Sequence, residues 1–122
     1  CNIAAMGEAL TLATKAGLDP EVVFNAVKGG LAGSTVLNAK APMVIGRNFK
    51  PGFRINLHQK DLRNALLAAE SLKVSLPFTS LVQQMLLALI NEGKGNLDHS
   101  AIVTFIEDMA GIEIKKAMAA GT

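Results

Sequence analysis

The sequence predicts an all-α domain of about six helices, and three observations carry that prediction. Apolar residues recur every three or four positions through most of the chain, and no segment keeps the alternation of a half-buried strand. With neither Trp nor Tyr and only five Phe, the core must be built from Leu, Ile, Val, Ala and Met, which suits helices packed on helices. At 122 residues the chain is one domain, long enough to bury a real core.

Ile3, Met6, Leu10 and Ala13 keep helical spacing, and Gly17 after Ala16 is the expected stop. Gly7 costs this helix stability relative to Ala, which points to a close helix contact. Asp19-Pro20-Glu21 reads as N-cap, first helical position and acidic first turn of a short helix through Val22, Val23, Ala26 and Val27, ending at Gly29-Gly30. The run from Gly29 to Ser34 lacks the Gly-Lys-Ser/Thr ending of a phosphate loop and follows no strand. Its glycines are expected to let the backbone turn and approach a neighbour, while Ser34 caps a third helix carrying Val36, Leu37 and Ala41. Pro42 is expected to bend or divide that helix and Gly46 to end it.

Pro51 and Gly52 make a turn, after which a helix starting near Ile55 carries Leu62, Ala65, Leu66, Ala69 and Leu72 and is stopped by Leu76-Pro77. The next helix, residues 79–91, is apolar around most of its circumference and is expected to be enclosed on nearly every side, most easily with the help of a partner domain or subunit. Met85 within it reads as core rather than as a sulfur ligand. Gly93 and Gly95 break the chain, Asp98 reads as an N-cap with Leu97 and Ile102 placed for a hydrophobic staple, and Ile102, Phe105, Ile106 and Met109 form the expected inward face of a last helix. The domain is expected over residues 1–114, with residues 115–122 a fraying tail.

Charge and composition exclude several function classes. A net charge of +2, from 12 basic and 10 acidic side chains spread along the chain, gives no polybasic footprint for nucleic acid or an anionic membrane. The longest apolar stretch, residues 85–90, is far too short to span a bilayer, and no secretory leader pattern opens the sequence, so the expected compartment is the cytoplasm. Cys1 has no internal partner for a disulfide, and His58 has no second His or Cys at ligand spacing, which argues against a metal site. The chain begins in helical phase without an initiator Met, as expected of a fragment.

Residues 49–66 concentrate the charge, aromatics and turn residues. On a helical wheel of roughly 100° per residue, Asp61 falls within the apolar arc, between Ala68 and Leu72, with Lys60 and Asn64 at its edge. Two readings of Asp61 stay open. Either a polar cleft faces it, because an unpaired carboxylate is costly to bury, or it is an early-helix negative charge suited to the macrodipole. Lys60 taken alone reads as a solvated lysine, and His99, beside the Asp98 cap, as a structural hydrogen-bonding group.

Phe53 followed eight residues later by Asp61 in Lys60-Asp61-Leu62, with Asn64-Ala65-Leu66 beyond, resembles the C-terminal domain signature of the 3-hydroxyacid dehydrogenases. The resemblance extends through Gly29 to Leu37, Ala41-Pro42-Met43, Leu76-Pro77 and Asp98-His99-Ser100-Ala101, and so covers nearly the whole chain to about Ile114. It implies the helical C-terminal domain of the 6-phosphogluconate-dehydrogenase-like fold, an N-terminal Rossmann domain as partner, NAD(P)H as cofactor of the full-length enzyme, a homo-oligomer, and a short 3-hydroxyacid or its semialdehyde as substrate. It further implies that Lys60 and Phe53 contact the cofactor, that Phe53 and Asp61 face the substrate, and that the glycine segment lies near the cleft. The family's acid lysine, with an asparagine four residues later, has no match in Asn2 or Lys15 and is expected upstream of Cys1. No catalytic residue is therefore assigned to this chain. Lacking a GxGxxG fingerprint, it is expected to bind no dinucleotide by itself and to be inactive alone. The rival expectations are a standalone helical interaction module and an assembly domain without catalysis.

Overall fold

A computed structural model describes residues 1–116 and, among them, holds six α-helices and one 3-10 turn. They are α1 (Asn2–Lys15), α2 (Pro20–Val27), α3 (Thr35–Ile45), α4 (Ile55–Leu72), α5 (Pro77–Asn91), the 3-10 turn (His99–Ile102) and α6 (Val103–Ala110). The all-α expectation holds.

Local chemistry sets most boundaries. Asp19 accepts from the Glu21 N–H and Ser34 from the Leu37 N–H, each satisfying a donor that a helix start leaves unpaired. Gly17, at φ 88°, takes the left-handed conformation that turns the chain out of α1. The start of α4 has no side-chain cap; instead its Ile55 and Asn56 N–H groups donate to the carbonyls of Leu97 and Gly95. That loop thereby fixes where α4 begins.

α1 packs against α2, α3 and α6, and α4 pairs with α5 as a hairpin. The 3-10 turn lies where the two groups meet, touching α1, α3, α4, α5 and α6, and its Ser100, Ala101 and Ile102 are buried. Leu10, Val44, Ile55, Leu86, Leu89 and Val103 form the centre of the core. Burial of each such side chain stabilises the fold by roughly 1.5–3 kcal/mol relative to exposure. Gly7 sits where α1 meets α6: a Cβ there would come within 2.8 Å of Val103 Cγ1, the close contact expected of it.

Four expectations are overturned or met only in part. Pro42 does not divide α3; it stands inside a continuous helix, and both it and Asn38, whose carbonyl loses its usual partner, lie on the exposed side. α4 ends at Leu72, earlier than Leu76-Pro77, because Lys73 adopts the left-handed conformation at φ 61°, and Pro77 instead opens α5 at its first turn. Met109 is exposed, since the buried line of α6 runs through Val103, Ile106 and Glu107, the last of which accepts hydrogen bonds from Arg47 and the Ile114 N–H. Finally, α5 is not enclosed by this chain: Phe78 is 77% and Leu81 62% exposed, because α4 and the core cover only its Val82, Met85, Leu86 and Leu89 side. Of the expected tail, Lys116 pairs with Glu21 at 2.9 Å, and residues 117–122 lie outside the described residues.

Candidate functional site

Asp98 organises the site. It is wholly buried, and its carboxylate accepts from the backbone N–H groups of Gly52 and Phe53 at 3.0 Å each and of Ser100 at 3.0 Å, with the Lys40 ammonium 3.1 Å away. Burial alone would raise its pKa, but hydrogen bonds from Ser100, Phe53 and Gly52 prevail and hold the carboxyl well below the usual aspartate range. Its backbone joins the same loop, donating its N–H to the Phe49 carbonyl and bridging Arg54. The N-cap expected at residue 98 is present, and the same side chain ties the 3-10 turn to residues 49–54 and α3.

That clamp positions Phe53. Its N–H is held by Asp98 and its carbonyl accepts from the His99 N–H at 2.7 Å. Its half-buried ring lies edge-on to His99, with centroids 5.2 Å apart, and 5.7 Å from His58. The two imidazoles meet at 2.9 Å between their Nδ1 atoms. Burial lowers both pKa values: His99 falls to about 4, chiefly through burial, with Lys40 and His58 adding repulsion that opposes the attraction of Asp98, while Asp61 partly counters the lowering at His58. The structural hydrogen bond expected of His99 is there. Among the described residues no group of three or more His, Cys, Asp or Glu could hold a metal.

Lys60 and Asp61 stand on α4 two turns beyond Phe53, their charged ends 3.5 Å apart, with side chains 59% and 53% exposed. Asp61, which the helical wheel places in the apolar arc, is open to water within this chain. Ile55 and Ala69 are buried and Leu62 and Leu66 partly so, while Ala65, Ala68 and Leu72 are exposed. The arc flanking Asp61 is open because, among the described residues, α4 packs chiefly along α5. The glycine segment borders a separate hollow of about 380 Å³ against α1, lined by Asn2, Ala5, Met6, Leu31, Gly33 and Ser34 and not by Phe53, Lys60 or Asp61.

The sequence reading missed Lys40 and the pairing of the two histidines. Lys40 could have been noticed as a lysine with Val36, Leu37, Met43 and Val44 one turn away on either side, where its ammonium needs a buried partner. Nothing in the spacing of His58 and His99, 41 residues apart, signals their contact.

Phe53 thus presents a partly exposed aromatic ring before α4, and Lys60 and Asp61 an exposed cation and carboxylate farther along it. Comparison with known proteins bears on that chemistry. A family described as NAD-binding of NADP-dependent 3-hydroxyisobutyrate dehydrogenase matches residues 1–106. The chain is 46% identical over 109 residues to 2-hydroxy-3-oxopropionate reductase of Escherichia coli (strain K12), covering 89% of this chain and 37% of the relative. It is 33% identical over 115 residues to 2-(hydroxymethyl)glutarate dehydrogenase of Eubacterium barkeri, covering 93% and 38%. A crystal structure of 3-hydroxyisobutyrate dehydrogenase from Salmonella typhimurium superposes with a TM-score of 0.79 at 28% identity, over 84% of this chain and 36% of that one. This chain thus spans little more than a third of the length of these relatives. With the family matched over residues 1–106 and the fold shared, the chain belongs to the 3-hydroxyisobutyrate dehydrogenase family of NAD-binding 3-hydroxyacid dehydrogenases.

Proposed function

We propose that this chain is the helical half of an NAD(P)-dependent reductase of short 3-hydroxyacid semialdehydes, with 2-hydroxy-3-oxopropionate (tartronate semialdehyde) as substrate. The observation that carries this reading is the Asp98 clamp, which fixes Phe53 at the start of α4, the helix whose Lys60 and Asp61 stand on a face this chain leaves uncovered. The 46% identity to 2-hydroxy-3-oxopropionate reductase supports this choice of substrate.

The residues fit one end of a dinucleotide. Phe53 offers an apolar ring to a planar nicotinamide, and Lys60 an unburied ammonium to its polar substituents or phosphates. When bound, NAD(P)H supplies the hydride. Phe53 excludes water from the reacting carbonyl, and Asp61 orients the substrate by accepting from its hydroxyl groups. The proton for the new hydroxyl comes from the family's acid lysine, placed upstream of Cys1, and a Rossmann partner domain covers the open face of α4. The isolated chain neither binds NAD(P)H nor turns over.

The test is NAD(P)H oxidation by the reading frame extended upstream, with 2-hydroxy-3-oxopropionate, succinic semialdehyde and glyoxylate compared. A preference for the first is expected; no oxidation with any of them overturns the reading. A second reading, an assembly module without catalysis, rests on the exposed Phe78 and Leu81 of α5. Micromolar binding of NADPH to the isolated chain in calorimetry would contradict this second reading and show that the chain holds a cofactor site by itself.

A further inference from the structure

We propose that His58 and His99 form a neutral, hydrogen-bonded imidazole pair that positions the ring of Phe53 at the edge of the cleft, making both histidines positioning residues for the reaction proposed above. The functional part rests on that reading; the structural part does not.

The geometry is specific. Two Nδ1 atoms 2.9 Å apart make a hydrogen bond only if one carries a proton and the other a lone pair. A neutral pair therefore holds opposite tautomers, one protonated on Nδ1 and the other on Nε2. The ring centroids of His58 and His99 lie 4.9 Å apart, and each imidazole also touches the Phe53 ring, so the three rings form a closed triangle. The charged side chains that act on the pair are Asp61 on α4, Asp98 of the clamp and Lys40 on α3. Burial, aided at His99 by Lys40, keeps the imidazoles neutral against the two carboxylates.

The backbone of Phe53 is fixed separately, by Asp98 on its N–H and by the His99 N–H on its carbonyl. Replacing the His58 imidazole therefore leaves the loop clamped and frees only the ring. An effect of His58 on substrate must pass through Phe53, which distinguishes positioning from general stability.

Nitrogen-detected NMR on this chain is the first test. Opposite tautomers at His58 and His99, a through-hydrogen-bond coupling between their Nδ1 nuclei, and a Phe53 ring that becomes more mobile in His58→Leu are expected. The same tautomer at both, or an unchanged ring, overturns the pair. The second test is a double-mutant cycle in the upstream-extended reductase. His58→Leu is expected to raise KM for the semialdehyde about five-fold while kcat changes less than about two-fold, and His58→Gln, which can renew a hydrogen bond to His99, to recover part of the loss. In a Phe53→Ala background the same His58→Leu change is expected to leave KM nearly unaltered, whereas equal effects in both backgrounds overturn the positioning role. An inactive wild type refutes the proposed function and leaves the NMR result to decide the pair.

Discussion

Lys40 and Asp98 lie 58 residues apart in sequence and meet at 3.1 Å, the lysine reaching from α3 to a carboxylate that water does not touch. Removing one partner of such a pair is far more costly than its net contribution, because the other charge is left buried and uncompensated. Asp98→Ala is expected to destabilise the chain by about 3–5 kcal/mol, measured by urea unfolding. Lys40→Met, which leaves the hydrogen bonds from Gly52, Phe53 and Ser100 in place, is expected to cost less.

Acid should act in two stages. His99 titrates at about 4 in the folded chain against 6.5 ordinarily, so the unfolded chain takes up the proton first and stability falls as pH drops from 6.5 toward 4. His58, also lowered, adds to the same decline. Asp98 is depressed below its ordinary 3.8, so its contribution is present above that pH and is lost only as pH falls further, through its folded pKa. A plot of Tm against pH is expected to fall through the histidine range and to steepen below the ordinary aspartate value. In His99→Gln the first decline should shrink.

Lys60 and Asp61, although adjacent and 3.5 Å apart, should separate in kinetics. Their ion pair is exposed, so either alanine substitution is expected to change stability by less than about 1 kcal/mol. In the upstream-extended reductase, Lys60→Ala should weaken NAD(P)H binding by roughly 1.5–3 kcal/mol, the value of a charge-assisted hydrogen bond. Asp61→Ala should instead impair substrate handling more than cofactor affinity. Wild-type kinetics for Asp61→Ala would return this residue to the role of an exposed early-helix charge.

Phe78 and Leu81 leave an apolar strip on α5, beside a hollow of about 310 Å³ formed with Ala4, Ala5 and Glu8 of α1. Self-association through this strip is expected, visible as a concentration-dependent shift in sedimentation. Phe78→Ser with Leu81→Ser should abolish the shift without lowering Tm, since neither side chain is buried.

Gly7→Ala would place its Cβ 2.8 Å from Val103 Cγ1 and 3.0 Å from Ile106 Cδ1. Val103 is fully buried and, being β-branched, has little rotamer freedom with which to yield. Overpacking of about 1–3 kcal/mol should outweigh the gain in helix propensity of roughly 1 kcal/mol, leaving a lower urea midpoint.

The elements that sequence made legible are those governed by neighbours along the chain. Asp19, Ser34 and Asp98 sit at caps because a side-chain oxygen reaches an N–H two or three residues ahead, and that geometry is written in adjacent letters. The family was legible because several of its blocks stand in order. What was not legible depends on pairing across the fold. The wheel treated Ala65, Ala68 and Leu72 as buried, but residue type says only that they could be; which side of α4 is covered depends on where α5 packs. Lys40 and the histidine pair were hidden for the same reason, each finding its partner more than 40 residues away.

The hairpin of α4 and α5 is anchored unevenly. α4 buries Ile55 at its first residue and Ala69 near its end, while the opposite member keeps Val82, Met85, Leu86 and Leu89 in the core. Opening the distal part of α4 therefore exposes little apolar surface, whereas opening α1 or α6 dismantles the whole interior. Amide hydrogen exchange should show this as a gradient, with residues 63–72 exchanging through small local openings and the buried amides of α1 and α6 only through global unfolding. Lys60 and Asp61 lie at the border between these regimes, on a segment held firmly at the clamp and loosely beyond it. The exposed charge pair is thus carried on a part of the chain that can adjust at small cost, while the Asp98 clamp holds the backbone before it.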